Sequence, residues 1–131
     1  MYKRQAEGSI LKQWFEEGTM GVPHGYKVEG FGEDFIPPAT DFSVIDEIRM
    51  VDDEMCFRMA RRLAKQEGLF CGGSCGGALQ IALDIAAEHD KAGKKAKIVV
   101  ILPDAGNPYL GKVYNDDWLR DNGFDVDGWE W

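Results

Sequence analysis

The feature that most constrains the fold is an uninterrupted apolar run at residues 97–102, KIVVIL, which ends at Pro103. Such a run, rich in β-branched residues and without polar alternation, is typical of a strand covered on both faces of a parallel sheet. Apolar residues at helical spacing precede it, namely Leu79, Ile81, Ala82, Ile85 and Ala86. The order of helix then strand predicts the α/β class, with a partial parallel sheet flanked by helices.

Local start and stop signals predict the other elements. Ser9 as N-cap and Gly18 as terminator delimit a first helix. A second helix is predicted from residues 52–53 to 66, before Gly68, and a short one around residues 116–120. Alternation and short apolar runs predict strands at residues 26–29, 46–51 and 69–71.

Composition excludes several classes of function. The formal net charge of −8 and the lack of a basic stripe argue against nucleic acid as a partner. The longest apolar runs are far shorter than the ~20 residues of a membrane span, and a cytoplasmic location is therefore expected. The three cysteines suggest neither a disulfide framework nor, with His24 and His89 distant in sequence, a metal site.

The strongest candidate for a binding site is the segment CGGSCGG at residues 71–77, between an apolar run and a helix. A helix N-terminus offers N–H donors to a ligand, but the glycines are also compatible with a tight turn and Ser74 with simple N-capping. Cys71 and Cys75 are expected to be small core residues. Two further glycine turns, at residues 29–32 and 103–106, favour a ligand crevice at strand ends. Asp104, in the second of these turns, is expected to be a turn residue.

Several blocks in order give the chain a family resemblance. They are EGSIL at 7–11, YKVEGFGEDFIP at 26–37, QEGLFCGGSCG at 66–76, VVILPD at 99–104 and NDDWLRDNG at 115–123. Together they resemble the cystathionine β-synthase and cysteine synthase family of fold type II pyridoxal phosphate (PLP) enzymes. The resemblance implies that residues 6–124 are the C-terminal part of the catalytic core, within its larger subdomain. Residues 1–5 are interpreted as a non-native leader and residues 125–131 as a tail.

The resemblance also implies site residues and a reaction. Ser74 would hydrogen-bond the pyridine nitrogen of PLP, with Gly73 beside it and Gly30 and Gly32 along the pocket edge. The family's Schiff-base lysine would lie upstream of Ala6, so this chain is expected to hold no catalytic residue and to be inactive alone.

The parent enzyme would make cystathionine from L-serine and homocysteine, in cysteine biosynthesis by transsulfuration, and would be a homodimer acting on small amino-acid substrates. Two alternatives stay open. One is cysteine synthase, which uses O-acetylserine and sulfide. The other is a non-enzymatic α/β module that docks on a partner protein.

Overall fold

A computed structural model describes residues 1–129 of the chain. The chain divides into two compact units, Met1–Asp53 and Glu54–Trp131. The first contains a small parallel sheet and the second is built from helices, which confirms the α/β class. Glu130 and Trp131, the end of the predicted tail, lie outside the described residues.

The first unit is organised around two parallel strands. Strand β1 (Tyr2–Ala6) pairs with β2 (Glu47–Val51) in a register that runs from Tyr2 opposite Glu47 to Ala6 opposite Val51. Helix α1 (Leu11–Glu17) follows β1. The predicted strand at residues 46–51 is thereby confirmed as β2. Strand β1 includes most of the predicted leader, whose origin stays a prediction.

Two predictions for the first unit are wrong because longer-range hydrogen bonds override local signals. Ile10, not Ser9, is the N-cap of α1, because the Ser9 hydroxyl instead donates to the Glu33 carbonyl at 2.9 Å. Residues 26–29 do not form a strand. The backbone N–H groups of Lys27 and Val28 donate to the Asp53 carboxylate, so they are not available to a strand ladder. Gly18 does end α1, at a φ of 68°.

The second unit contains helices α2 (Asp53–Glu67, whose first residue belongs to the first unit), α3 (Gly73–Lys91) and α4 (Asp116–Asp121), and a 3-10 turn at Asn107–Tyr109. The Phe57 ring of α2 packs edge-on against Trp118 and Phe124, with centroids 5.9 and 5.3 Å apart. The predicted helices α2 and α4 are confirmed. Gly68 follows α2 with a φ of 69°, and the Asn115 side chain caps α4 by accepting from the Trp118 N–H.

The strand predicted at residues 97–102 is absent from the described structure. Val99 and Ile101 are 85% and 73% exposed, and the residues have no ladder partner between positions 1 and 129. The predicted strand at residues 69–71 is reduced to one antiparallel bridge between Cys71 and Ala105. A strand buried on both faces needs neighbouring strands, and the described sheet has two strands, both in the first unit.

Candidate functional site

The glycine-rich segment forms the first turn of α3 rather than a separate loop. Gly72 is the N-cap with extended backbone, and Ser74 is the second helical residue. No glycine of residues 72–77 has a positive φ, so the tight-turn interpretation is wrong. The N–H groups of Cys75 and Gly76 both donate to the Gly72 carbonyl. The N–H groups of Gly73 and Ser74 have no carbonyl acceptor within the helix, because no helical turn precedes them.

Two glycines of this turn, Gly72 and Gly76, are required by close packing. A methyl group on Gly76 would contact the Cys56 carbonyl and would lie 2.6 Å from the Ala60 nitrogen, so α2 and α3 approach closely there. A methyl group on Gly72 would lie 2.5 Å from Asp104 Oδ1. Packing therefore explains Gly72 and Gly76 without a ligand, but it does not explain the serine between them.

Ser74 is buried without a protein partner for its hydroxyl. The residue is 4% exposed, and its hydroxyl makes no hydrogen bond among residues 1–129. Gly72, not Ser74, caps the helix, which rules out the N-capping interpretation. Its oxygen is not one of the fully buried unpaired side-chain atoms of the described residues, so a ligand atom that accepts a hydrogen bond can reach it.

A hydrogen-bonded cluster lies beside this turn. The Cys75 thiol is 3.2 Å from Asp104 Oδ1, and the Tyr109 hydroxyl donates to Asp104 Oδ2 at 2.5 Å. The Tyr114 hydroxyl donates to the Cys71 carbonyl at 2.6 Å, and burial raises the pKa of Tyr114 to about 12. Asp104 is thus more than the predicted turn residue. The cluster was not visible in the sequence because Cys75 is 29 residues from Asp104 and Cys71 is 43 residues from Tyr114.

Cys71 and Cys75 are buried, as predicted. Interaction with the Cys75 thiol, together with burial and the charge of Asp104, raises the pKa of Cys71. Interaction with the Cys71 thiol lowers the pKa of Cys75, against the opposing effects of burial and the Asp104 carboxylate.

Gly30 and Gly32 belong to the first unit, whereas Gly73 and Ser74 belong to the second. Gly30 has a φ of 65°, a conformation that favours glycine. A methyl group on Gly32 would lie 2.8 Å from the Tyr26 hydroxyl oxygen, so this glycine permits close packing. Their place along a cofactor pocket stays a prediction.

Among residues 1–129, no group of three or more His, Cys, Asp or Glu side chains could hold a metal ion. None of the helices described in this range is long and apolar enough to cross a membrane.

Comparisons with known proteins place the chain in a family. Residues 4–104 match the family model described as pyridoxal-phosphate dependent enzyme. Cystathionine beta-synthase from Dictyostelium discoideum is 47% identical over 117 residues, which is 89% of this chain and 22% of the relative. The Rattus norvegicus protein of the same name is 43% identical over 118 residues, covering 90% of this chain and 20% of the relative.

A solved structure of cysteine synthase from Entamoeba histolytica matches with a TM-score of 0.71 and 32% identity, over 87% of this chain and 32% of that one. The chain thus spans about a fifth of the length of the curated relatives it matches.

Proposed function

Because the chain belongs to the pyridoxal-phosphate dependent enzyme family, we propose that it forms part of an enzyme that joins L-serine and homocysteine into cystathionine, in cysteine biosynthesis by transsulfuration. The names and identities of the relatives, such as 47% to the Dictyostelium discoideum cystathionine beta-synthase, support this reaction. The structural observation that carries the cofactor assignment is Ser74, a buried residue at the start of α3 whose hydroxyl makes no hydrogen bond among residues 1–129.

Ser74 fits the pyridine nitrogen of PLP. The hydroxyl supplies a donor that no protein group among residues 1–129 uses, and a ring nitrogen supplies an acceptor. The N-terminus of α3 carries a partial positive charge, which disfavours a proton on a ring nitrogen held there. PLP, when bound, supplies an electron sink for bond cleavage in amino-acid substrates. Ser74 would hold the ring nitrogen unprotonated and so moderate that sink.

The glycines of the proposed site would contribute space and backbone donors. Gly73, at the first position of α3, presents an N–H group with no side chain over it. Gly30 and Gly32 would line the edge of the cofactor and substrate pocket, as the family resemblance implies. Gly30 allows close approach to the backbone, since a methyl group there would have no neighbour within 4 Å.

We place the Schiff-base lysine of the parent enzyme outside this chain. Seven of the nine lysines are exposed, whereas such a lysine must be desolvated to act as a nucleophile at neutral pH. The half-buried Lys12 donates to the Ile48 carbonyl at 3.2 Å. Burial lowers the pKa of Lys3, but this residue lies on β1, before the residues that the family resemblance covers. The 131-residue chain mixed with PLP, L-serine and homocysteine is therefore expected to form no cystathionine, as measured by mass spectrometry. Turnover that disappears when PLP is removed would overturn this assignment.

Cysteine synthase is the second candidate, and the solved structure at 32% identity supports it. The protein encoded by the complete open reading frame separates the two. It should form cystathionine from L-serine and homocysteine faster than cysteine from O-acetylserine and sulfide when both substrate pairs compete. The opposite preference would favour cysteine synthase.

The parent enzyme is further proposed to be a cytoplasmic homodimer. The location is supported by Cys56, Cys71 and Cys75, none of which forms a disulfide within the described residues, as is usual in a reducing compartment. The dimer follows from the family resemblance. Analytical ultracentrifugation of the complete protein tests it, and a monomer at micromolar concentration would refute it.

A further inference from the structure

The loop that contains Asp104 is tied to the segment that leads into α3. Ala105 forms an antiparallel bridge with Cys71, and the Gly106 N–H donates to the Phe70 carbonyl at 3.1 Å. A methyl group on Gly106 would lie 2.7 Å from the Phe70 ring, so the two segments are in close contact. The backbone therefore fixes Asp104 beside the start of α3.

The Asp104 side chain contacts α3 on both sides of Ser74. Before Ser74, its two carboxylate oxygens lie against Gly72, where a methyl group would be 2.5 and 2.6 Å from them. After Ser74, the Cys75 thiol donates to Asp104 Oδ1 at 3.2 Å. Gly72 is the N-cap of α3 and Cys75 lies in its first turn. One side chain thus contacts both ends of the four-residue segment that contains Ser74.

The Asp104 carboxylate is itself held in place by Tyr109. The Tyr109 hydroxyl donates to Oδ2 at 2.5 Å, a short bond of the kind that a charged acceptor forms. The 3-10 turn at Asn107–Tyr109 returns the chain toward Asp104, and the Tyr109 N–H donates to the Gly106 carbonyl at 2.9 Å. Because both carboxylate oxygens accept hydrogen bonds, the direction of the Asp104 side chain is fixed.

We propose that Asp104 and Tyr109 are positioning residues, which hold the first turn of α3 where the Ser74 hydroxyl can donate to the pyridine nitrogen of PLP. This inference rests on the proposed function, since it takes PLP as the ligand of Ser74. Neither positioning residue needs to touch the cofactor. A hydrogen bond weakens steeply as its angle and distance depart from the optimum, so a shift of this turn should weaken the Ser74 contact.

A double-mutant cycle tests whether Asp104 acts through Ser74. The protein of the complete open reading frame is stripped of cofactor and titrated with PLP, and tryptophan fluorescence gives the dissociation constant. Ser74→Ala and Asp104→Ala should each weaken binding roughly 10-fold, the equivalent of one hydrogen bond. The double variant should bind about as weakly as Ser74→Ala alone, because the contact that Asp104 positions is already absent. A merely structural role predicts independent losses, about 100-fold in total.

Conservative variants refine the test. Asp104→Asn should retain most of the affinity, because its amide oxygen still accepts from the Tyr109 hydroxyl. Tyr109→Phe removes one oxygen atom, so it tests the proposal even if Asp104→Ala fails to fold. It should weaken PLP binding about 3-fold, and it should add little to Ser74→Ala. Asp90→Ala, which changes an exposed aspartate at the other end of α3, is the matched control and should bind PLP like the wild type.

The cycle separates failure of this inference from failure of the proposed function. If Ser74→Ala binds PLP as tightly as the wild type, the cofactor assignment and the positioning role are both wrong. If Ser74→Ala weakens binding, the cofactor assignment stands. In that case the positioning role alone is overturned when Asp104→Ala and Tyr109→Phe have no effect, or when their losses add in full to that of Ser74→Ala.

Discussion

Oδ1 of Asp53 accepts a hydrogen bond from the backbone N–H of Val28 at 2.8 Å, and Val28 is one of the most buried residues of the first unit. Oδ2 of the same carboxylate accepts from the Lys27 N–H at 2.5 Å. One side chain therefore satisfies two consecutive backbone donors. This pair of bonds explains why residues 26–29 form a loop although their sequence alternates like a strand.

Asp53→Ala should lower the free energy of unfolding by about 1–3 kcal/mol, because it leaves a buried backbone donor without its acceptor. Asp53→Asn should cost less, since the amide oxygen can still accept one bond. Urea unfolding followed by circular dichroism measures both changes. Asp34→Ala, at an exposed position, is the control, and equal losses for Asp34→Ala and Asp53→Ala would contradict the role of Asp53.

Gly76→Ala should destabilise the second unit by about 1–3 kcal/mol, because a methyl group there meets the backbone of α2 and forces the helices apart. Gly111→Ala is a matched control, since a methyl group at Gly111 has no neighbour within 4 Å. Thermal unfolding of the two variants provides the comparison. Unchanged stability of Gly76→Ala would show that α2 and α3 are not closely packed at this point.

Arg61→Lys should also destabilise the second unit. The Arg61 guanidinium donates from Nε to the Val113 carbonyl and from Nη1 to Asp116, both at 2.6 Å, and one lysine ammonium does not reproduce this fork. The expected loss is about 1–2 kcal/mol in chemical unfolding. Arg62→Lys, which changes an exposed arginine bonded to Gln66, should change stability by less than about 0.5 kcal/mol. Equal effects would argue against the Arg61 contacts.

The amides of residues 97–102 should exchange hydrogen with solvent at nearly unprotected rates in the 131-residue chain, because the described structure gives them no ladder bonds. The amides of α3 should exchange far more slowly. Hydrogen exchange with mass spectrometry compares the two segments within one sample. Protection of residues 97–102 equal to that of α3 would mean that this apolar run has found strand partners.

The elements that were predictable from sequence are those specified by adjacent residues. Helix α4 has its cap at Asn115, and α1 and α2 end at glycines that adopt positive φ. The prediction for residues 97–102 failed because a buried strand is defined by neighbours that the residues themselves do not encode. Ser9 was misassigned for a similar reason, since its partner Glu33 is 24 residues away.

The candidate site was only partly predictable. The glycine-rich turn and Ser74 were visible as a motif, and the family resemblance assigned them a ligand. That Ser74 has no hydrogen-bond partner in residues 1–129, and that Cys75 contacts Asp104, depends on how distant segments pack. Contacts of this kind are visible only in the three-dimensional structure.

The most direct test is cystathionine formation by the protein of the complete open reading frame, compared with its Ser74→Ala variant. We expect activity that requires PLP, and a loss of roughly 10-fold to 100-fold in kcat/KM for Ser74→Ala, the equivalent of one strong hydrogen bond. Ser43→Ala, at an exposed serine, should retain full activity. Cystathionine formation that needs no PLP, or a Ser74→Ala variant as active as Ser43→Ala, would contradict the account.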